Sequence, residues 1–500
     1  MAALISTPSN LIPLLIILIC FISSSEVSSS SSNGVDNLYG LFSTKTPYSY
    51  VENDNLTIIK PQEECKPIHI NMVHRHGHRY PSSGSLKDYA DLSQKINQGQ
   101  KLDPDLNFTL PWFTPFSLQQ KSHLTRVGES ELYHLAKRIK TRFPDIFKDH
   151  DYLPWTYNFM STNKERTIHS SNSLASGLFE ESGSLANRSI QPISIVVSSK
   201  DPNDTLLRFY NACPNFVANI EGNDQVMAEF LKFQSGQTMQ QVKDKVARKL
   251  NLTATGNTGD NELSYNELDA IYTSCSYELS MQKGSSMDSG ICALLDEEDR
   301  RVLDYANDLG DFYQFSNPEN PITFAIACPL VDNILTTVND AAMAHRNKSG
   351  TIHGVFRSTH SKAVMMMFTL LGLNKQTEPL MHDTYPEMSV NRSFHGSYRV
   401  PFAANFYFVL YGCPGNVLKI QLYWNEQLVK VPGCTSAEDC DLDDFFNYFK
   451  QIQTDCESTF EKLCDVSSSS ASSSTVHLSS FLVGCFSSIL YVISYFKFSF

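Results

Sequence analysis

Arg75-His76-Gly77-His78-Arg79-Tyr80-Pro81 places two guanidiniums on either side of an imidazole within seven residues. Those residue types suit phosphoryl transfer. Moving a phosphoryl group onto an enzyme side chain requires a nucleophile, fixed positive donors for the equatorial oxygens, and a proton for the leaving oxygen. His76 is the candidate nucleophile: a neutral imidazole attacks phosphorus and becomes a phosphohistidine. Arg75 and Arg79 are the candidate donors, and Gly77 lets the backbone turn tightly beside a bulky anion. A dense His/Arg cluster is also what a solvated loop looks like. Its place directly after an apolar strand favours the chemical reading, because α/β sheets hold ligands at the carboxyl ends of their strands.

The elements that must carry this cluster are legible around it. Ile68, Ile70 and Met72 alternate with His69, Asn71 and Val73, which predicts a strand running into the loop. In LTRVGESELYHLAKRIKTRFP, Leu132, Leu135, Ala136 and Ile139 have helical spacing, and Pro144 stops the helix. Tyr157 to Ser161 reads as a short strand, after which Arg166 enters a helix through HSSNSLASGLF. Residues 205–315 are mainly helical in pattern, with weak boundaries near Gly256 and Gly259, and are expected to form an inserted lobe. After Thr351, the strand-like IHGVF leads to Arg357, Ser358, Thr359 and His360. A helix through Met365, Met366, Met367, Leu370 and Leu371 follows, repeating the order strand, polar loop, helix. VPFAANFYFVLYG and VLKIQLYWNEQLVKV read as paired strands joined around Pro414-Gly415.

A chain of 500 residues with 41% hydrophobic and 19% charged residues has the composition of a globular protein. Its length suits one large α/β domain with an insertion, or two ordinary domains. The net charge of −13 repels polyanions as a whole, so nucleic acid is excluded as a partner. A site for a phosphate ester must therefore concentrate the basic residues locally. Residues 11–22, LIPLLIILICFI, followed by small serines, read as a secretory signal over 1–25, and 26–60 as a polar leader of irregular structure. Residues 466–500 combine a serine-rich spacer with an apolar tail. That pattern matches a glycosylphosphatidylinositol attachment signal, with a C-terminal membrane span as its rival. The ten cysteines outside these two ends fit disulfides in an exported chain, and the absence of a CxxC pair argues against a zinc site. Sequons begin at Asn55, Asn107, Asn187, Asn203, Asn251, Asn347 and Asn391, which fits a glycosylated exterior.

RHGHRYP resembles the R-H-G-x-R-x-P signature of the histidine acid phosphatases, which include the phytases. The segments LTRVGESELYHLAKRIKTRFP, STNKERTIHSSNSLASGLF, LLRFYNAC, LSYNELDAIYTSCSYEL and ACPLV resemble, in order, those of the multiple inositol polyphosphate phosphatases. So does the late run from VPFAANFYFVLYGC to NEQLVKVPGC. The likeness covers about residues 60–465 and is far more specific than the heptapeptide. It implies a histidine-phosphatase domain over 61–465: a large α/β domain with a helical lobe between its early and late strands. Inositol polyphosphates or similar small phosphate esters are the implied substrates, with no metal or organic cofactor. Transferred residue by residue, the resemblance makes His76 the nucleophile, gives Arg75, Arg79 and Arg166 the phosphate, and places His360 as a second phosphate donor at a helix N-terminus. It also implies disulfides Cys65 to Cys413, Cys275 to Cys292 and Cys434 to Cys440, and leaves the partners of Cys213, Cys328, Cys456 and Cys464 open. Oligomeric state is not encoded in any of these motifs.

One departure from the family pattern bears on turnover. The family reads His-Ala-Glu or His-Asp where this chain has His360-Ser361-Lys362, so the carboxylic acid that protonates the leaving alkoxide is missing. A positioned general acid is typically worth ~10²–10⁴ in rate. Lys362 is expected to add to anion binding, and serves as an acid only if burial beside arginines lowers its pKa. His382-Asp383 spells the family variant but lies beyond the matching loop, before Thr384-Tyr385-Pro386, and reads as a surface coincidence. Two alternatives follow: a phosphate-binding protein that has lost turnover, and a phosphomutase sharing the R-H-G signature, which the export signals disfavour.

Overall fold

A computed structural model describes residues 40–466, apart from 55–58, 99–101, 103–105, 148–150, 184, 253–262, 282–285, 351 and 377. The signal over 1–25, the leader as far as residue 39, the tail from 467 onward and the sequon at Asn55 lie outside the described residues.

The strands are β1 Lys66–Arg75, β2 Tyr157–Ser161, β3 Ile195–Val197, β4 Gly354–Thr359, β5 Asn405–Gly412, β6 Leu418–Trp424 and β7 Gln427–Val429. The helices before β3 are α1 Ser83–Gln98, α2 Arg126–Arg142, α3 Pro144–Phe147 and α4 Glu165–Phe179. Between β3 and β4 come α5 Pro214–Asn219, α6 Ala228–Gln234, α7 Gln237–Lys249, α8 Tyr265–Met281, α9 Glu297–Phe315 and α10 Cys328–Arg346. The remainder are α11 Ser361–Leu370, α12 Tyr385–Met388, α13 Gly396–Arg399 and α14 Leu442–Cys464.

The sheet has the order β3-β2-β4-β1-β5-β6-β7. The strands β3, β2, β4 and β1 are parallel, whereas β5, β6 and β7 extend the sheet antiparallel. The mixed α/β class follows from helices covering both faces. On one face, Leu132, Leu135 and Ile139 of α2 and Leu174 and Leu178 of α4 pack on Ile70, Met72, Phe356 and Val409. On the other, α10, α11 and α14 cover Val73, Phe406, Phe408 and Leu410. Each such buried aliphatic side chain contributes about 1.5–3 kcal/mol.

The alternation in β1 suggests one wet face, yet His69, Asn71 and His74 are as buried as Ile70 and Met72. A central strand covered on both sides has no wet face, so its polar side chains find internal partners. His69 donates through Nδ1 to the Ile352 carbonyl at 2.7 Å, and Asn71 accepts from the buried Arg357 at 2.6 Å.

From Gly40 onward the leader is irregular but belongs to the core, which corrects the expectation of a polar segment through residue 60. Phe42 is 1% and Tyr48 0% exposed. Tyr48 donates its hydroxyl to Glu426 at 2.8 Å, and the Phe42 ring lies 5.2 Å from that of Tyr272. The helices α5 to α9 lie in the chain between β3 and β4, as does α10, which packs directly on β1 and β5. Five disulfides join Cys65 to Cys413, Cys213 to Cys464, Cys275 to Cys292, Cys328 to Cys456 and Cys434 to Cys440. Two of them tie α14 to the chain between β3 and β4. Asn107, Asn187, Asn203, Asn347 and Asn391 are exposed, and Asn251 is half-buried.

Candidate active site

β1 and β4 end side by side, and the polar loops that follow them face each other. His76 is pinned between its neighbours: its N–H donates to the Thr359 carbonyl at 3.0 Å, and its carbonyl accepts from the Ala403 N–H at 3.1 Å. The ring donates through Nδ1 to the Gly77 carbonyl at 2.9 Å. That bond puts the proton on Nδ1 and leaves the Nε2 lone pair free. Burial, reinforced by Arg166, Arg75, His360 and Arg79, holds the imidazole pKa well below its usual value. The ring is therefore neutral, the form that can attack phosphorus.

Gly77 has a structural reason that the sequence reading did not give it. A Cβ there would lie 2.7 Å from the Gly128 Cα, and one on Gly128 would lie 2.7 Å from the His78 nitrogen. Two glycines thus let the loop rest directly on the first turn of α2. Thr125 caps that turn by accepting from the Gly128 N–H at 3.1 Å, and its hydroxyl donates to the His78 carbonyl at 2.9 Å. Glu131, one turn further along, accepts from the His78 N–H at 2.6 Å and the Tyr48 N–H at 3.0 Å.

Guanidiniums crowd this loop. Arg75 donates to the carbonyls of Thr44 at 2.6 Å and Val400 at 2.7 Å, with its carbon 4.4 Å from the centre of the Phe402 ring. Arg166, in the first turn of α4, donates to His360 Nδ1 at 3.3 Å. Arg79 donates to the Tyr80 carbonyl at 2.8 Å. Burial first and Arg79 second lower the pKa of both Arg75, to about 9, and Arg166, to about 10. Both remain protonated at neutral pH, so positive charge is compressed here. Among the described residues the buried Nε groups of Arg75, Arg166 and Arg208 have no hydrogen-bond partner.

His360 stands at the N-terminus of α11, its ring centre 5.4 Å from that of His76. Burial and the neighbouring Arg166 and Arg208 hold it neutral. Because Arg166 can only donate, Nδ1 of His360 accepts, and Nε2–H donates to the Thr162 hydroxyl at 3.0 Å. Both ring nitrogens are occupied, an arrangement that orients Arg166 and differs from the expected free donor to phosphate.

Lys362 departs from expectation more clearly. Its ammonium pairs with Glu221 and sits 5.0 Å and 5.6 Å from the ring centres of Phe315 and Tyr210. In this arrangement its charge is already neutralised. His382 binds Glu229 through both its N–H and its Nδ1, away from the histidine pair.

Three cations of the site escaped the sequence reading. Arg208 is placed by the Thr359 hydroxyl, which donates to the Leu207 carbonyl at 2.7 Å, and it pairs with Asp201. Lys164 holds the same carboxylate at 3.0 Å and adds to the field on His360. Lys45 lies beside Arg75 and Arg79, and burial lowers its pKa. Arg208 falls within the matched segment LLRFYNAC, which was the available signal; Lys45 had none.

Elsewhere, Asp304, Asp308 and His395 bring ligand-type atoms within 4.8 Å of one another. The Arg392 guanidinium lies 2.5 Å and 2.7 Å from the two carboxylates and supplies the positive charge there. The donor set fits an internal ion pair rather than a metal.

The family model for the histidine phosphatase superfamily (branch 2) matches residues 68–431. The chain is 28% identical over 447 residues to the protein named multiple inositol polyphosphate phosphatase 1 from Gallus gallus, covering 86% of this chain and 93% of that one. The crystal structure of the phytase from D. castellii superposes with a TM-score of 0.66 at 20% identity, covering 82% of this chain and 84% of that one. The multiple inositol polyphosphate phosphatase of Bifidobacterium longum in complex with inositol hexasulfate gives a TM-score of 0.59 at 18% identity, covering 79% and 94%.

Proposed function

The chain belongs to branch 2 of the histidine phosphatase superfamily, and we propose that it is a phosphomonoesterase working through a phosphohistidine on His76. The observation that carries this reading is the free Nε2 of a neutral His76 facing arginines whose buried Nε donors have no partner. A phosphoryl group supplies what both lack. Its phosphorus meets the lone pair, and its oxygens meet Arg75, Arg79 and Arg166. The N-terminus of α11 adds partial positive charge, and His360 fixes the Arg166 fork.

Inositol polyphosphates fit better than a simple monoester. Lys45, together with Lys164 and Arg208 that share the single Asp201 carboxylate, adds net positive charge beyond what one phosphate engages, and the Gallus gallus relative carries that substrate in its name. Export through the secretory pathway is supported by the five disulfides and by the exposed sequons. Attachment through the C-terminal tail rests on the sequence pattern alone. Among the described residues no helix is long and apolar enough to cross a membrane.

A second reading, a phosphate-binding protein without turnover, draws on the pairing of Lys362 with Glu221 where the family carries an acid. Phosphate release from inositol hexakisphosphate by the purified chain separates the two. Release that disappears in His76→Ala supports the enzyme. No release by wild type, with activity appearing in Lys362→Glu, supports the binding protein.

A further inference from the structure

We propose that Asp311, on α9, is the acid that protonates the leaving oxygen in place of the carboxyl missing after His360; this rests on the phosphatase reading above.

The placement of Asp311 follows from the face of α9 it occupies. Asp304, Asp308, Asp311 and Phe315 are separated by four, three and four residues, so they share one side of the helix. At one end of that row, Asp304 accepts from the Ser43 N–H at 2.6 Å and Asp308 from the Ser43 hydroxyl at 2.8 Å. Ser43 begins the turn that carries Lys45, and the Thr44 carbonyl of the same turn receives Arg75. At the other end, the Phe315 ring centre lies 5.0 Å from the Lys362 ammonium. Asp311 is between these contacts on the same side of the helix.

Its surroundings leave the carboxyl available. Asp311 makes no hydrogen bond or ion pair with a described residue, whereas the other nearby acids are engaged. Glu221 is held by Lys362, Asp201 by Arg208 and Lys164, and Glu131 by two backbone N–H groups. Lys45, Lys362 and Arg75 face Asp311 from the turn, from α11 and from β1, and Tyr265 faces it from α8. Burial raises its pKa, outweighing the opposing pull of the three cations. A polyphosphate lying on Lys45 and Arg75 offsets their pull and favours the protonated acid further.

In the first step His76 Nε2 forms a bond to phosphorus, the ester P–O bond breaks, and the leaving oxygen takes the Asp311 proton. In the second, Asp311 carboxylate takes a proton from water as its oxygen bonds to phosphorus. The P–N bond breaks and inorganic phosphate leaves, with His76 neutral again.

The test compares wild type, Asp311→Asn and Asp311→Glu on inositol hexakisphosphate and on 4-nitrophenyl phosphate across pH. Nitrophenolate scarcely needs a proton to leave. Asp311→Asn is expected to lower kcat on the hexakisphosphate by ~10²–10⁴-fold and far less on the aryl ester. The decline of hexakisphosphate turnover at high pH should vanish, and Asp311→Glu should restore part of the rate. Inorganic phosphate should still raise the Tm of Asp311→Asn, showing that the site is intact. An equal loss on both esters, or none on the hexakisphosphate, overturns the assignment while leaving the phosphatase reading in place. Failure of wild type to release phosphate from either ester overturns the reading and the assignment together.

Discussion

Two buried charged clusters, one on α9 around Asp304 and Asp308 and one where β1 and β4 end around His76, differ in how far their groups are paired and balanced. Around Asp304 and Asp308 both carboxyls and all three nitrogens of Arg392 are hydrogen-bonded, while Nδ1 of the adjoining His395 is not. Arg392 donates from Nε to Asp308 at 2.8 Å, from Nη2 to Asp304 at 2.5 Å and from Nη1 to the carbonyls of Met388 and Ser389. Ser43, Gly396 and Ser397 donate to the remaining carboxylate oxygens. Charge also balances: Asp304 stays ionised, whereas burial and the Asp304 charge push the Asp308 carboxyl up to about 7. Around His76 neither condition holds. Like charges face one another, and three guanidinium Nε groups are buried with nothing to donate to. A buried cluster closed on itself holds the fold together; one left with surplus donors is built for something that comes from outside.

Breaking each cluster should therefore have opposite signatures. Arg392→Met leaves two buried carboxylates without their cation and is expected to cost about 3–5 kcal/mol of stability, read by chemical denaturation, while kcat of the folded protein persists. Loss of kcat at unchanged stability would reverse the roles assigned to the clusters. Arg166→Met should do the reverse. It removes a donor aimed at the transferred phosphoryl group, so kcat/KM on inositol hexakisphosphate should fall ~10²–10³-fold, with Tm held. Inorganic phosphate at a hundred times its Kd should stabilise wild type by about 2.7 kcal/mol and Arg166→Met by much less. Equal phosphate stabilisation of both proteins would place the anion elsewhere.

What the sequence makes legible is local. The strands before His76 and His360 announce themselves because an apolar run ends abruptly in polar residues and a helix follows. The paired late strands are equally clear around Pro414-Gly415. Less visible is anything settled by distant contacts. The polar positions of β1 look solvent-facing until Arg357 of β4, held by Asn333 of α10, donates to Asn71. Lys45 sits in a stretch without a motif and reaches the site only because Phe42 and Tyr48 anchor that stretch in the core. Lys362 reads as a free cation because Glu221, 141 residues away, has no sequence signature as its partner. Asp311 is one acid among many on a helix whose spacing is evident but whose facing is not.

The smallest effect concerns Glu131, the acid that ties the His76 loop to the Tyr48 segment. Burial, its largest influence, pushes this carboxyl up to about 7 from an ordinary 4.5, against the lowering action of two backbone N–H groups and Arg75. The folded protein thus binds a proton more tightly here than the unfolded chain does. The stabilisation is fully present below about pH 4.5 and is lost as pH rises through about 7. In Glu131→Gln, which resembles the protonated acid, that component of the pH dependence disappears. The stability of wild type relative to the variant should accordingly decline across this window, measured by denaturant titration at several pH values. A relative stability that rises with pH would mean that Arg75 and the N–H groups outweigh burial. The His76 loop would then be held by a carboxylate, and the surplus positive charge of the pocket would be one smaller than the comparison with the Arg392 cluster assumes.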